Sequence, residues 1–463
     1  MATLQHPPAP KGVPLVGFLN DYRKDALGFL EGMAKEHGDV VHLRVLDYDF
    51  YLLSHPDLIE EVLVTKSKSF IKSKDYRDEL SFLGNGLVTS EGGFWLRQRR
   101  LAQPAFHRKR IAAYGEAMVA YGERLLTSWD ASAKTGAERD VHEDMMRVTL
   151  EIVAKTLFHV DISDGAEPIG EALEVFMNSD RTSEPLWQMF LPKRFPTPNR
   201  VRFKRANEEM DRLVYGLIEE RRRDFAGGGE DKGDLMSMLM HAQDADTLER
   251  MTDRQLRDEL LSILMAGHET TANALSWTWV LLAQHPEVEV KLHAELDEVL
   301  GGRTPTLQDL PKLRYTEQVI KESMRVFPPV WGVGREALED CDIGGYAVPK
   351  GMQLSLPQWL VHRDERFFKD AKAFKPERWG GDLEKRLPKY AYFPFGGGPR
   401  LCIGNNFAMM EAVLLLATLA QGYRLELTRP QEVVPQPTIT LRPKHGVKMR
   451  VEARVPTKVG VPV

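Results

Sequence analysis

The chain has 463 residues, 43% of them hydrophobic and 28% charged, proportions that allow a sizeable buried core and exclude disorder as the main state. A formal net charge of -5 gives no overall attraction for nucleic acid, whose binders carry a basic excess. Two cysteines, Cys341 and Cys402, are too few for a disulfide framework and fit a reducing compartment, so the expected location is cytoplasmic. The N-terminal segment has no apolar run long enough for a signal or a membrane span, and Pro7, Pro8, Pro10 and Pro14 break any helix there, so no membrane anchor is expected.

Along the chain, residues 40–54 carry β-branched and aromatic residues around a turn placed at Asp47 to Asp49, which predicts a hairpin. His55-Pro56 then opens a helix. Between about 93 and 288 the pattern changes to long amphipathic helices, with helical spacing over 114–131, 145–158 and 202–225. A proline-rich break at 191–199 and a glycine-rich, charged loop at 227–234 interrupt them. Thr252 caps a helix running to about 284, long enough to cross the whole domain and to form one wall of a cofactor site. Another helix reaches Phe327, followed by short strands around 341–351 and a strand-like C-terminal stretch. The expected fold is mainly α with a smaller β-rich region: a β-rich lobe from about 38–60, 330–360 and 425–455, and a helical lobe from about 93–328 and 404–422, in a single domain over 1–463.

The strongest chemical signal is FPFGGGPRLCIG, residues 393–404, followed by an apolar helical run. A single cysteine in a glycine-rich loop at a helix start is placed where backbone N–H groups and the helix dipole favour a thiolate. Taken alone, Cys402 also fits a small buried residue in a tight turn. Phe395, Gly398, Arg400, Cys402 and Gly404 stand in the spacing F-x-x-G-x-R-x-C-x-G, and here the chain resembles the cytochrome P450 superfamily. The resemblance implies that fold, with the long central helix over a haem. It makes Cys402 the proximal iron ligand, pairs Arg400 with a haem propionate and packs Phe395 beside the sulfur.

Further motifs extend the resemblance over essentially the whole chain. Glu322 and Arg325, three apart on one helical face, combine with Arg378 in what looks like the family's Glu-Arg-Arg network, a structural support for the cysteine loop. Trp95 and Arg99 match W-x-x-x-R, which in the family reaches the propionates, and Arg335 matches a further propionate partner. In AGHETT, residues 266–271, the mid-helix glycine and threonines have poor helix propensity; Gly267 leaves room for a ligand, and an acid beside a hydroxyl suits proton delivery. Thr270 aligns with the family's oxygen-activating threonine and Glu269 with its acid, while Thr271 is expected to matter less. Ala266 stands where some fatty-acid hydroxylases carry a glutamate that bonds the haem covalently, so a non-covalent haem b is expected.

The resemblance implies a monooxygenase that takes one oxygen atom from O2, with NAD(P)H electrons arriving through a separate ferredoxin or flavodoxin and its reductase. Val88, Ala266, Val330, Gly332 and Ile439 are placed near the distal pocket, and all are apolar. A fatty acid, terpenoid or steroid-like substrate follows, with Tyr48 and Tyr51 near a mouth. A basic cluster at Arg97, Arg100, Arg108, Lys109 and Arg110 offers a docking face for an acidic redox partner. A peroxide-driven peroxygenase, a haem-binding sensor without turnover, and a cysteine-dependent hydrolase or thiolate-metal protein are the competing readings.

Overall fold

A computed structural model describes residues 5–162, 166–177, 195–229, 232–244, 248–428 and 433–454. A mixed sheet near the N-terminus uses β1 (Val40–Val45), β2 (Tyr48–Leu53), β3 (Phe70–Lys72), β4 (Val333–Ala337) and β5 (Gln353–Leu356), in the order β1-β2-β5-β4-β3. The β1–β2 hairpin turns at Leu46 and Asp47, two residues earlier than the acidic run implied, because Leu46 adopts φ 60° and Tyr48 is already paired with Val45. Tyr51 is 3% exposed inside this sheet's core, and the Tyr48 hydroxyl donates to Asp75 at 3.0 Å. Neither tyrosine is free to meet a substrate at a mouth.

The helical part contains α1 (Gly92–Ala102), α2 (Arg108–Thr135), α3 (Val141–Phe158), α4 (Pro198–Ala226), α5 (Asp253–Gln284), α6 (Pro286–Leu300), α7 (Arg314–Val326) and α8 (Asn405–Ala420). Thr252 does cap α5, in a capping box with Gln255, and His285 and Pro286 close it. Its 32 residues make it about 48 Å long, buried along both halves. The main core gathers apolar residues from all of these helices. The break at 191–199 enters the described residues only at 195, and residues 230–231 of the charged loop lie outside them.

Strands Cys341–Ile343 and Tyr346–Val348 form the hairpin expected there, turning on Gly344 and Gly345, both at positive φ. Cys341 sits on that hairpin, paired in register with Val348. The C-terminal strand Lys448–Ala453 lies between Glu138–Asp140 and Tyr423–Leu427. No helix among the described residues is long and apolar enough to cross a membrane.

Candidate active site

Cys402 ends a loop whose shape depends on two glycines. Gly396 and Gly398 adopt φ 70° and 63°, and a Cβ on Gly398 would stand 1.9 Å from the Leu63 carbonyl oxygen; no other residue fits there. The loop is closed by the Cys402 N–H, which donates to the Phe395 carbonyl at 3.0 Å. Cys402 has accessible surface although protein surrounds it in depth. Burial pushes the thiol up, opposed by the Gly404 N–H and the Arg99 charge. The expected thiolate bias from the helix start is therefore outweighed by desolvation until a cation meets the sulfur.

Behind the loop stands a fully satisfied ion network. Both Glu322 and Arg325 are 0% exposed. Arg325 donates to both carboxylate oxygens at 2.9 and 2.8 Å, and to the carbonyls of His362, Ala371 and Ala373. Glu322 also accepts from Arg378 Nε at 2.8 Å, Trp379 Nε1 at 2.8 Å and the Lys375 N–H at 3.0 Å. The expected trio is assembled, and Trp379 and Lys375 join it.

His362 connects this network to the loop: its Nε2 accepts the Phe393 N–H at 2.9 Å. Burial, with the Arg325 charge second, pulls its pKa from 6.5 down to about 3. The folded state therefore holds a neutral imidazole while the unfolded chain takes a proton below pH 6.5, so this stabilisation is present above 6.5 and lost as pH falls toward 3. Relative to His362→Gln, the wild type should lose about 2 kcal/mol between pH 6.5 and about pH 5. Urea midpoints at both pH values check this, and a constant difference between the two proteins would reject it.

The side that carries the expected propionate partners is rich in positive charge. Trp95 stacks under Arg400, whose guanidinium carbon lies 3.7 Å from the ring centre, and Arg400 also pairs with Glu91. Arg335 donates Nη1 to the Gly334 carbonyl at 2.8 Å, and burial followed by the Arg400 charge lowers its pKa to about 10. Lys72, which no motif flagged, lies directly across the β3–β4 register from Arg335. Burial, then Arg400, pulls Lys72 down to about 7. Sequence spacing had no means of finding it, because the pairing joins strands more than 250 residues apart. Arg99, one turn beyond Trp95, reaches the cysteine loop and donates to the Leu401 carbonyl at 2.8 Å.

On α5 the burial is continuous from Leu256 to Leu282 except at Ala266, Gly267 and Thr270. Ala266 and Thr270, four apart, share the accessible side, and the Thr270 hydroxyl donates to the Ala266 carbonyl at 2.7 Å. Gly267 also serves packing, since a Cβ there would stand 3.1 Å from Val153 on α3. Glu269 does not meet Thr270. About 100° round the helix, it accepts a 2.5 Å hydrogen bond from the Thr440 hydroxyl, which also accepts from Asn273 Nδ2 at 3.1 Å. Burial pushes Glu269 up, against the pull of Thr440 and Arg442. Thr271 is buried, with Oγ1 3.4 Å from the Gly267 carbonyl.

Two segments join α5, one near Glu269 and the other about three turns earlier. The Leu441 N–H donates to the Pro329 carbonyl at 2.8 Å and Trp331 Nε1 to the Thr438 carbonyl at 2.7 Å, which brings Val330, Gly332 and Ile439 together. The Leu87 N–H donates to Glu259 at 3.0 Å and so fixes Val88 beside the same helix. A separate apolar cavity of about 550 Å³, lined by residues including Leu150, Phe158, Met210, Leu260 and Leu264, shares none of these residues.

The family model for cytochrome P450 matches residues 7–450. The chain belongs to the cytochrome P450 family. It is 36% identical over 438 residues to cyclooctatin synthase of Streptomyces melanosporofaciens, covering 94% of each chain. It is 33% identical over 453 residues to pentalenene oxygenase of Streptomyces avermitilis, covering 97% of each. Among solved structures, the retinoic acid bound cyanobacterial CYP120A1 superposes with TM-score 0.86 at 25% identity, covering 98% of this chain and 100% of that one. The mainly helical fold with a smaller strand region is thus that of the cytochromes P450, and the activity is that of a haem monooxygenase.

As a cytochrome P450 the chain uses haem b, O2 and electrons from NAD(P)H delivered by redox partners. Its residues fit that cofactor. Lys72, Arg335 and Arg400 gather three buried or half-buried basic groups near Glu91, an excess of positive charge that the two propionates of haem b would balance. The reachable thiol of Cys402 completes the donor set. In the expected basic docking face, the Arg97 side chain is 13% exposed and lies against the buried Asp244, whereas the Arg100 side chain is 47% exposed and Arg110 is exposed too. The side chains of Arg108 and Lys109 lie outside the described ones.

Proposed function

We propose that this cytochrome P450 hydroxylates a terpenoid-class apolar molecule in the cytoplasm, as one functional unit over the whole chain, with a ferredoxin or flavodoxin and its reductase supplying electrons. The observation that carries the reading is the break in the burial of α5 at Ala266, Gly267 and Thr270, with apolar Val88 tied to the same helix through the Leu87 N–H and Glu259. The names of its relatives, cyclooctat-9-en-7-ol 5-monooxygenase and pentalenene oxygenase, support the substrate class over fatty acids and steroids.

When bound, haem b supplies the redox iron centre at which O2 is activated. Cys402 would hold the iron and donate electron density to it, with the Gly404 N–H and Arg99 stabilising the negative sulfur. Trp95, Lys72, Arg335 and Arg400 would hold the propionates. Thr270 would orient the proton donor, and Glu269, whose carboxyl burial pushes up and whose Oε1 accepts from Thr440, would be the proton reservoir.

Thr270→Ala is expected to keep the haem spectrum and substrate binding while hydrogen peroxide rises at the expense of product. Glu269→Gln should slow turnover by about 10²-fold. The measurement is product formed per NAD(P)H consumed, with a surrogate reductase pair and a terpene chosen by its spin-state shift from a panel that includes fatty acids and steroids. An unchanged coupling ratio in Thr270→Ala would return the peroxygenase and sensor readings to contention.

A further inference from the structure

The segment that carries Val88 is fastened to α5 with unusual care. Gly84 and Gly86 let the backbone press on the helix: a Cβ on Gly84 would stand 2.2 Å from the Asp258 carboxylate, and one on Gly86 2.2 Å from the Ser262 hydroxyl. Asp258 accepts the Asn85 N–H at 2.8 Å. The next residue on α5, Glu259, is 0% exposed and accepts the Leu87 N–H at 3.0 Å through Oε2. Its other oxygen accepts from Gln98 Nε2 at 2.9 Å, and Gln98, also 0% exposed, lies one turn past Trp95 on α1. On the far side of the same residue, Lys72 Nζ donates to the Leu87 carbonyl at 3.1 Å and to the Ser90 carbonyl at 2.8 Å.

Both backbone polar groups of Leu87 are therefore held by ionisable side chains rather than by another strand or helix. A buried carboxylate has a desolvation cost that a packing residue would avoid, and burial pushes Glu259 up to about 7 against the pull of Gln98, the Leu87 N–H and Lys72. The return on that cost is direction. One carboxylate ties three elements together, fixing where the following side chain points.

We propose that Glu259 is a positioning residue for substrate specificity, which acts through the Leu87 peptide to aim Val88 into the substrate chamber and, through Gln98, registers that wall against the propionate-binding helix. The proposal rests on the reading of Val88 as a chamber wall.

In the holoenzyme, Glu259→Leu should leave the carbon-monoxide spectrum and imidazole binding unchanged, because neither ligand touches the wall. It should weaken the spin-shift affinity for the best terpene about tenfold, the size expected for losing a hydrogen bond to a charged acceptor. The product should spread over more than one position, and hydrogen exchange in residues 82–91 should accelerate. Glu259→Gln, which keeps an oxygen for the Leu87 N–H, should recover most of the regioselectivity. Combined with Val88→Ala, the Glu259→Leu effect should be strongly non-additive. If Val88→Ala alters products while Glu259→Leu, spectrally intact, does not, the proposal is overturned and the chamber reading stands. If Val88→Ala alters nothing, the chamber reading falls and takes the proposal with it. Should Glu259→Leu fail to fold, Gln98→Met decides: it deletes only the second partner of the carboxylate, and wild-type affinity and products in it overturn the proposal.

Discussion

Replacing Cys402 with alanine abolishes the carbon-monoxide difference band of thiolate-ligated haem and all turnover, whereas Cys341→Ser leaves both at wild-type levels. Only these two sulfurs of cysteine exist in the chain, so the assignment is a choice between them. Cys341 lies on a short edge hairpin, half-buried, with burial pushing its thiol up and acidic neighbours Asp342 and Glu339 adding to the effect. Cys402 has an accessible thiol, a backbone N–H aimed at the sulfur and an arginine nearby. The loop around it excludes side chains at Gly398, whereas nothing lies within 4 Å of a Cβ at Gly345 in the other hairpin. A band that survived Cys402→Ala and vanished in Cys341→Ser would reverse the assignment.

Glu322→Ala carries the largest expected cost in stability away from the thiol. The carboxylate receives five hydrogen bonds, from Arg325 twice, Arg378, Trp379 and the Lys375 N–H. Its loss strands a guanidinium that is itself 0% exposed. Breaking a buried pair from one side costs about 3–5 kcal/mol. Since His362 passes the consequence to Phe393, the loss should also appear as conversion of the thiolate-haem band before global unfolding. Trp379→Phe removes one donor of the five and should cost only about 1 kcal/mol. Urea midpoints read from that absorption band compare the two variants, and a Glu322→Ala cost below that of Trp379→Phe would sink the account.

The sequence made the cysteine loop, the Glu322–Arg325–Arg378 trio and the long capped helix legible because each is local or carried by a rigid spacing. It says less where meaning depends on which way a helix is turned. Glu269 and Thr270 read as an acid–hydroxyl pair, yet adjacent residues on a helix point about 100° apart, and the acid goes to Thr440. Gly267 read as room for a ligand, and a Cβ there would also crowd Val153. Arg99 read as a propionate partner, and its guanidinium also donates to the Leu401 carbonyl. Lys72, His362 and Glu259 were invisible because their partners come from distant strands and loops whose pairing no local pattern encodes.

The register that sets Lys72 opposite Arg335 has a bearing on assembly. Like charges directly across a strand pair disfavour that pairing, and here both lie away from the screening of bulk water. The outer strand pair thus forms against part of its own electrostatics, with Glu91 the carboxylate that lies beside Lys72 and pairs with Arg400. Haem b held there would bring two further acid groups to the sheet edge, so the strand that closes the sheet would gain stability from the cofactor as well as from its backbone ladder.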